Sequence, residues 1–388
     1  MSSALMSNYG SPQLEFKHAA GCYTTAINGD RYLDFAMGIG VNSLGHCHPV
    51  LVKALQDQAG KIWHCSNLYR IGESEKLAKK LVQISFADKV FFSNSGTEAV
   101  ECGFKMMRRY HHDRGNPKRK RIIALSESFH GRTLAPIAAA ANPLHCEGFL
   151  SGDPGFENAP FGDLDALKKL ISEETAGIIL EPVQGEGGIR VIATDYLQAI
   201  RDLCDEQGLL LMFDEVQCGV GRTGYFYAHE SSGVNPDILA SAKGLGGGFP
   251  VGACLATQEV AKVMVAGIHG STFGGNPLAM AVGNAVLDVI TEAGFLQRSR
   301  EHASYLREKL ERIIRQHPGV LKEQTGIGLM VGIKCVASNT DLISALQQAK
   351  LLSIKAGANS IRLLPPLNVS KEEIDEACDI LETVVARL

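Results

Sequence analysis

The chain has 388 residues, enough for about two to three domains of ordinary size. It carries 38 lysine and arginine residues against 42 aspartate and glutamate residues, and the net charge of −4 argues against a protein that binds nucleic acid or an anionic membrane. Hydrophobic residues make up 45% of the chain and charged residues 21%, a composition that supplies a large core and excludes a disordered protein.

The N-terminal sequence MSSALMSNYG lacks the basic and then apolar pattern of a secretory signal peptide. Nowhere does the chain contain about 18 consecutive apolar residues, so we predict no membrane span. Turn signals at 28–29 and 38–40 interrupt the first segment. We predict that this segment, residues 1–55, packs with a small C-terminal domain.

Strands and helices are predicted to alternate from there to about residue 280. The apolar runs KVFF, RIIAL, GIIL, LLLMF and DILA each end in small or polar residues, as strands covered on both faces do. Helices are predicted at 98–110, 164–171 and 196–207. This alternation predicts an α/β domain with a mostly parallel sheet, over residues 56–279. Because such sheets bind ligands at the carboxyl ends of their strands, the polar residues that follow the runs should converge on one cleft.

The last part of the chain, residues 280–388, is predicted to form a smaller α+β domain. The charged segment FLQRSREHASYLREKLERIIRQH has apolar residues at 306, 310, 313 and 314, which is the spacing of an amphipathic helix. GLMVGIKC and SIRLL follow as separate strands. The ten cysteines have no C-x-x-C spacing, which indicates reduced thiols in a cytoplasmic protein. The H-x-H sequence at 46–48 lacks further ligands, so we predict no metal site.

Three motifs at strand ends carry candidate chemistry. The sequence SGTE at 95–98 precedes a helix and predicts either an anion site or a simple helix cap. Asp214 follows five apolar residues and predicts a buried carboxylate, which either is functional or forms a structural salt bridge or helix cap. Lys243 stands among small residues and predicts either a nucleophile toward carbonyls or a surface lysine. Together the three match the phosphate, pyridine nitrogen and aldehyde of pyridoxal phosphate.

Nearly the whole chain resembles the class III, fold type I, pyridoxal-phosphate aminotransferases. The resemblance implies the α/β fold of that type, with a mostly parallel sheet in the large domain and a smaller α+β domain. The motifs that carry it are YLDFAMGIGVNSLGHCHP, HCSNLY, FFSNSGTEAVE, SFHGRT, EPVQGEGG, FDEVQCGVGRTGYFYAHE, PDILASAKGLGGGFPVGA, HGSTFGGNPLA and RLLPPL.

The resemblance implies two catalytic residues. Lys243 forms the Schiff base with the cofactor and transfers the proton, and Asp214 keeps the pyridine nitrogen protonated. Gln217 is implied to reach the phenolic oxygen of the cofactor. Val216 and Phe129 are implied to pack on the two faces of its ring.

The other implied cofactor contacts lie around the phosphate. Gly96 and Thr97 hold it within one subunit, and Glu215 belongs to the implied cofactor-binding set. Thr272 is implied to reach the phosphate of the neighbouring subunit, which makes the active unit a homodimer. Ser271 lies beside it at the mouth of the substrate site.

The resemblance also implies residues for small-molecule substrates, with no nucleic acid or membrane as partner. Arg132 takes the α-carboxylate of N2-acetyl-L-ornithine, whose δ-amino group reacts, and Arg362 takes that of glutamate. Glu186 is implied to pair with Arg362 and to swing away for glutamate, the product formed from 2-oxoglutarate. The reaction belongs to arginine biosynthesis.

Alternatives of the same class are succinylornithine, 4-aminobutyrate and ornithine aminotransferases. The ornithine enzymes carry a tyrosine in the segment that here reads GIGVN, and apolar Ile39 in that segment favours an acylated substrate. A non-catalytic pyridoxal-phosphate-binding regulator is a distant alternative, for which the match leaves no room for an N-terminal DNA-binding domain. We interpret His130 as a pocket wall and expect Cys218 to make the site sensitive to thiol reagents.

Overall fold

A computed structural model describes residues 4–10 and 12–388. We number its strands in chain order as β1 Phe16–Ala20, β2 Tyr23–Ala26, β3 Arg31–Asp34, β4 Lys89–Ser93, β5 Arg121–Leu125, β6 Phe156–Ala159, β7 Thr175–Leu180, β8 Val183–Gln184, β9 Arg190–Val191, β10 Leu210–Asp214, β11 Ile238–Ser241, β12 Gly252–Ala256, β13 Leu321–Ile327, β14 Met330–Cys335, β15 Leu351–Leu352, β16 Ile354–Ala356 and β17 Ser360–Leu363. The α-helices are α1 Met37–Gly40, α2 Pro49–Ala59, α3 Gly72–Gln83, α4 Gly96–Asp113, α5 Leu134–Ala140, α6 Pro143–Cys146, α7 Leu164–Leu170, α8 Thr194–Gln207, α9 Gln258–Ala261, α10 Pro277–Ile290, α11 Phe295–Gln316, α12 Asn339–Gln348 and α13 Lys371–Val385. Short 3₁₀ turns occupy Ser7–Tyr9, Ala228–Ser231 and Lys243–Leu245.

A seven-stranded sheet in the order β4-β12-β11-β10-β7-β5-β6 forms the centre of the molecule. The five predicted apolar runs are β4, β5, β7, β10 and β11, so these predictions are confirmed. β12 is antiparallel to both of its neighbours, and the other six strands are parallel to one another. The predicted fold class is therefore confirmed, and the carboxyl ends of the five predicted strands share one edge of the sheet.

Helices cover this sheet at the predicted places. The predicted helices at 98–110, 164–171 and 196–207 correspond to α4, α7 and α8, with ends shifted by a few residues. α4 follows β4 directly because Ser95 adopts an extended conformation and its hydroxyl accepts a hydrogen bond from the Glu98 backbone N–H. The turn between β4 and α4 therefore lies at the carboxyl edge of the sheet.

The C-terminal part of the chain contains the predicted amphipathic helix, α11, and its four apolar residues are buried. It packs on an antiparallel sheet in the order β13-β14-β17-β16, which includes both predicted strands. β15 pairs in parallel with β3, which links the N-terminal strands to this part of the chain. The bounds 1–55, 56–279 and 280–388 stay a prediction, and residues 1–3 and 11 of the first segment lie outside the described residues.

The largest hydrophobic core joins helices from both predicted domains. Leu77 of α3, Met280 of α10 and Leu310 of α11 all belong to it and are fully buried. Within the described residues, no single helix is long and apolar enough to span a membrane, although α10 and α11, bent by 71°, reach that length and composition as a pair.

Candidate active site

A cavity of about 390 Å³ opens at the carboxyl edge of the central sheet. The polar residues that follow β4, β7, β10 and β11 lie in its wall, as predicted, whereas Ser126, Glu127 and Ser128, which follow β5, line a neighbouring cavity instead. The predicted site residues that line it are Gly96, Thr97, Phe129, Arg132, Glu186, Asp214, Val216, Gln217 and Lys243.

One end of the cavity is the N-terminus of α4. The backbone N–H groups of Gly96 and Thr97 have no acceptor within the helix because they belong to its first turn. An added Cβ at Gly96 would lie 2.6 Å from Val216 Cγ1, so glycine is what allows Val216 to pack against this turn. Free N–H donors at the positive end of an 18-residue helix suit a phosphate group.

Asp214 is held in a buried network at the end of β10. His130 Nδ1 lies 2.8 Å from Asp214 Oδ2, and the Val216 N–H donates to Asp214 Oδ1 at 3.0 Å. The side chains of His130 and Asp214 are 0% and 3% exposed. The interpretation of His130 as a mere wall was incomplete, since it fixes the carboxylate by a hydrogen bond. A buried carboxylate oriented in this way suits a protonated ring nitrogen.

Glu181 is a second buried acid in this wall, and the sequence predictions gave it no role. Its Oε1 accepts from the Phe129 N–H at 2.9 Å and its Oε2 from the Gly185 N–H at 3.0 Å. Burial, helped by the nearby Asp214 and opposed by His130, raises the pKa of Glu181 to about 7. The sequence feature that could have indicated a role for Glu181 is its position directly after the apolar strand GIIL.

Lys243 follows β11 and opens a 3₁₀ turn with φ of 43°. Its side chain lies in the cavity wall. Burial lowers the pKa of the Lys243 ammonium, and repulsion from Arg362 lowers it further. A lysine whose neutral form is favoured can attack a carbonyl carbon, so the surface-lysine alternative does not fit this position.

Glu215 does not line the cavity, and its contact with the cofactor stays a prediction. Its carboxylate accepts hydrogen bonds from the backbone N–H groups of Ala228 at 2.5 Å and His229 at 3.0 Å. The ring Nδ1 of His229 lies 2.7 Å from Glu215 Oε1. Successive residues at a strand end point to opposite faces, so Asp214 and Glu215 cannot both face the cavity.

Arg362 projects from β17 and is held by three contacts. Its Nη2 donates to Glu186 Oε1 at 2.8 Å and to the Lys355 carbonyl at 3.0 Å, and its Nη1 donates to Gln217 Oε1 at 3.0 Å. A Cβ at Gly185 would overlap Gln217 Oε1, so this glycine makes room for the amide. Arg362 is 2% exposed, and its charge is compensated by Glu186.

Arg132, unlike Arg362, has no acid partner among the described residues. Its guanidinium lies over the Phe129 ring, 5.1 Å from the centroid, and forms no hydrogen bond or ion pair within residues 4–10 and 12–388. A guanidinium that lines a cavity without an acid partner is ready to bind a carboxylate. The site therefore presents one available arginine and one masked arginine.

Ser271 and Thr272 lie outside this cavity. The Asn94 side-chain NH₂ donates to Ser271 Oγ at 3.1 Å, so Ser271 is one hydrogen bond away from a residue of the wall. Thr272 is exposed. Its role toward a neighbouring subunit stays a prediction.

Two further expectations need correction. Cys218 is 1% exposed, and burial raises its pKa well above the usual value, which disfavours the reactive thiolate. Ile39 is 43% exposed and does not line the cavity, whereas Val41 of the same segment does. The apolar contact that this segment makes with the site therefore comes from Val41.

Comparison with known proteins extends these observations. The model of the family described as Aminotransferase class-III matches residues 5–385. The acetylornithine aminotransferase of Brucella melitensis is 53% identical over 384 residues, which are 99% of this chain and 95% of the relative. The solved N-acetylornithine aminotransferase of Stenotrophomonas maltophilia is 35% identical with a TM-score of 0.86, and 98% of each chain is covered. The solved ornithine aminotransferase of Toxoplasma gondii ME49 is 29% identical with a TM-score of 0.94, over 99% of this chain and 93% of that chain.

Proposed function

Because the chain belongs to the class-III aminotransferase family, we propose that it transfers the δ-amino group of N2-acetyl-L-ornithine to 2-oxoglutarate. The products are N-acetyl-L-glutamate 5-semialdehyde and L-glutamate, a step of arginine biosynthesis. We propose pyridoxal phosphate as the cofactor, because a helix N-terminus, a buried acid and a lysine of lowered pKa meet its three polar groups in one cavity.

The observation that carries the choice of substrate is the contrast between the two arginines. Arg132 is free to bind one carboxylate, while Glu186 and Gln217 occupy Arg362. A substrate with a single carboxylate and a distant amino group matches this state. A free α-ammonium group beside Arg132 would add a second positive charge there, and acylation removes that charge. N-acetylornithine satisfies both conditions.

The residues divide the chemistry between them. The cofactor supplies an electron-accepting ring when it is bound. Asp214, oriented by His130, would hold the proton on the ring nitrogen. The Lys243 amine would hold the cofactor at its aldehyde and, once the substrate amine has displaced it, would move a proton at the substrate carbon that bears that amine. The first turn of α4 would bind the phosphate.

The second half-reaction needs a different state of Arg362. Glutamate and 2-oxoglutarate each carry two carboxylates, so Arg132 alone cannot pair with both. The side chain of Glu186 is 41% exposed, and it can leave Arg362 for solvent. Arg362 then binds the α-carboxylate while Arg132 binds the distal one. One cavity thus serves two amino donors of different shape.

A homodimer is part of the proposal. Trp63, Leu68, Tyr69 and Phe273 are between 61% and 86% exposed. The rings of His64 and Phe273 lie 5.4 Å apart, so part of this apolar surface borders Thr272. An exposed apolar surface of this kind supports contact with a second copy. All ten cysteines are free thiols, which supports the proposed cytoplasmic location.

The test is a half-reaction of the purified, cofactor-loaded protein without keto acid. N-acetylornithine should bleach the yellow cofactor band quickly, and ornithine should do so slowly. Faster reaction with ornithine would favour the second candidate, an ornithine aminotransferase. The observation that supports this candidate is the TM-score of 0.94 to the ornithine aminotransferase of Toxoplasma gondii ME49. Faster reaction with succinylornithine or 4-aminobutyrate would move the substrate to those classes. A Lys243→Ala variant that still turned over would support a non-catalytic role for the lysine and refute the mechanism.

A further inference from the structure

We propose that a second cavity beside the first binds the N-acyl group of the substrate and favours uncharged acyl groups. This inference rests on the proposed function. The second cavity has a volume of about 530 Å³ and shares Phe129, Arg132 and Glu186 with the first. Arg132 therefore stands between the two cavities, with its guanidinium available to either.

The stereochemistry of the substrate places the acyl group there. Its reacting amine must reach Lys243 in the first cavity, and its α-carboxylate pairs with Arg132. The acylamino group is attached to the carbon that bears this carboxylate, so it must lie close to Arg132. The first cavity already holds the aliphatic chain and the cofactor. The second cavity is the adjoining space on the other side of Arg132.

The lining of the second cavity suits an amide with a small alkyl group. Its lining contains both polar and apolar side chains, among them Ser128, Ala140, Asn142, Pro143, His145 and Asn158. Ser128 is 7% exposed and its hydroxyl has no hydrogen-bond partner within the described residues. Such a hydroxyl is destabilising until a ligand or water satisfies it. Rotation about the Cα–Cβ bond of Ser128 is enough to redirect it.

The charges around the second cavity disfavour an acidic acyl group. Arg132 is used by the α-carboxylate, and Glu127 in the wall pairs with Arg190 at 2.5 Å. Burial lowers the pKa of His145, and Arg132 lowers it further against the opposing effect of Glu186, which disfavours the charged form of this ring. A terminal carboxylate on the acyl group would therefore meet no unpaired cation among the described lining residues.

The experiment compares two tryptophan variants of the short helix α6. His145 lines the second cavity, whereas Leu144 is 81% exposed and does not. His145→Trp should lower kcat/KM for N-butanoylornithine by about tenfold or more, because it fills space that the acyl group needs. Leu144→Trp should leave that value unchanged. The glutamate half-reaction, which involves no acyl group, should be unchanged in both and reports that the variants are folded.

A matched pair of substrates tests the charge preference without any variant. Butanoyl and succinyl groups have the same number of carbons, but the succinyl group ends in a carboxylate. Wild-type kcat/KM should be about tenfold or more higher for N-butanoylornithine than for N-succinylornithine. This comparison still decides the matter if His145→Trp fails to fold.

Two results would overturn the inference. One is an equal effect of the two tryptophan variants on acylated substrates, and the other is a wild-type enzyme that prefers the succinyl compound. Neither result touches the proposed function, provided that N-acetylornithine still reacts faster than ornithine, N-succinylornithine and 4-aminobutyrate. A wild-type enzyme that reacts with glutamate but with no N-acylornithine would instead refute the proposed function itself.

Discussion

Replacing Glu186 by glutamine tests whether its ion pair with Arg362 sets the choice between the two amino donors. Glutamine has nearly the same shape as glutamate, so the substitution removes the charge and leaves the packing. The hydrogen bonds from Arg362 to Gln217 and to the Lys355 carbonyl remain. Arg362 then stays in place and is no longer neutralised by an acid.

The size of the effect follows from the exposure of the two partners. Arg362 is 2% exposed, but the side chain of Glu186 is 41% exposed, so solvent screens the pair in part. We therefore place its strength between an exposed and a fully buried pair, at about 1–2 kcal/mol, which corresponds to about 5- to 30-fold in a rate ratio. Glutamate must break this pair to bind, so kcat/KM for glutamate should rise by that factor. The unmasked Arg362 should compete for the carboxylate of N-acetylornithine and lower its kcat/KM.

Single-turnover bleaching of the cofactor band with each donor measures both constants. Glu382→Gln is the matched control, since Glu382 forms a partly exposed ion pair with Arg312 and lines neither cavity. It should leave the ratio of the two constants unchanged. If Glu186→Gln left the glutamate constant unchanged or lowered it, the ion pair would not be the switch.

Three further predictions concern the walls of the site. Gly96→Ala should weaken cofactor binding by about 1–3 kcal/mol in an equilibrium titration, because the new Cβ would meet Val216, and adding Val216→Ala should restore much of the loss. Ser128→Ala should raise KM for N-acetylornithine by about 2- to 10-fold but leave KM for 4-aminobutyrate unchanged. The control is Ser126→Ala, because the Ser126 hydroxyl already donates to a backbone carbonyl at 3.1 Å. This variant should change both KM values alike or neither. Burial raises the pKa of Glu181 to about 7, so between pH 4.5 and about 7 the folded protein binds a proton that the unfolded chain does not. The free energy of unfolding should therefore fall as pH rises through this window, and denaturant melts should show a flatter dependence for Glu181→Gln; an equal slope would contradict the raised pKa.

The central sheet was the most predictable part of the fold. Five short apolar runs became strands because each is buried on both faces, and a strand of that kind has an almost continuous apolar sequence. β12 was not predicted, although its sequence GACLA is also apolar and fully buried. It lies between β4 and β11 as the antiparallel strand, and the alternation of strands and helices gives no sign of such a strand.

The resemblance implied both the composition of the site and the pairing of Glu186 with Arg362, but the residue patterns alone did not give the state of the charges. Sequence placed Arg362 and Glu186 in one site through resemblance, yet 176 positions separate them. Which arginine is masked depends on the meeting of β17 with the loop after β8, and no local pattern encodes that contact. For Glu215, in contrast, a local pattern was available. Successive side chains at a strand end point to opposite faces of the sheet, so Asp214 and Glu215 are expected to face opposite ways.

Two glycines show how local backbone choices produce this arrangement of charges. Gly96 lets Val216 pack against the turn that presents the N–H groups of α4, and Gly185 lets Gln217 reach Arg362. In each case a single Cβ would occupy the place of a functional side chain. The chain contains 41 glycines, several of them in clusters beside the polar motifs. Substitutions at Gly96 and Gly185 should therefore change cofactor affinity and donor choice before they change global stability, since the atoms displaced belong to the site and not to the large core.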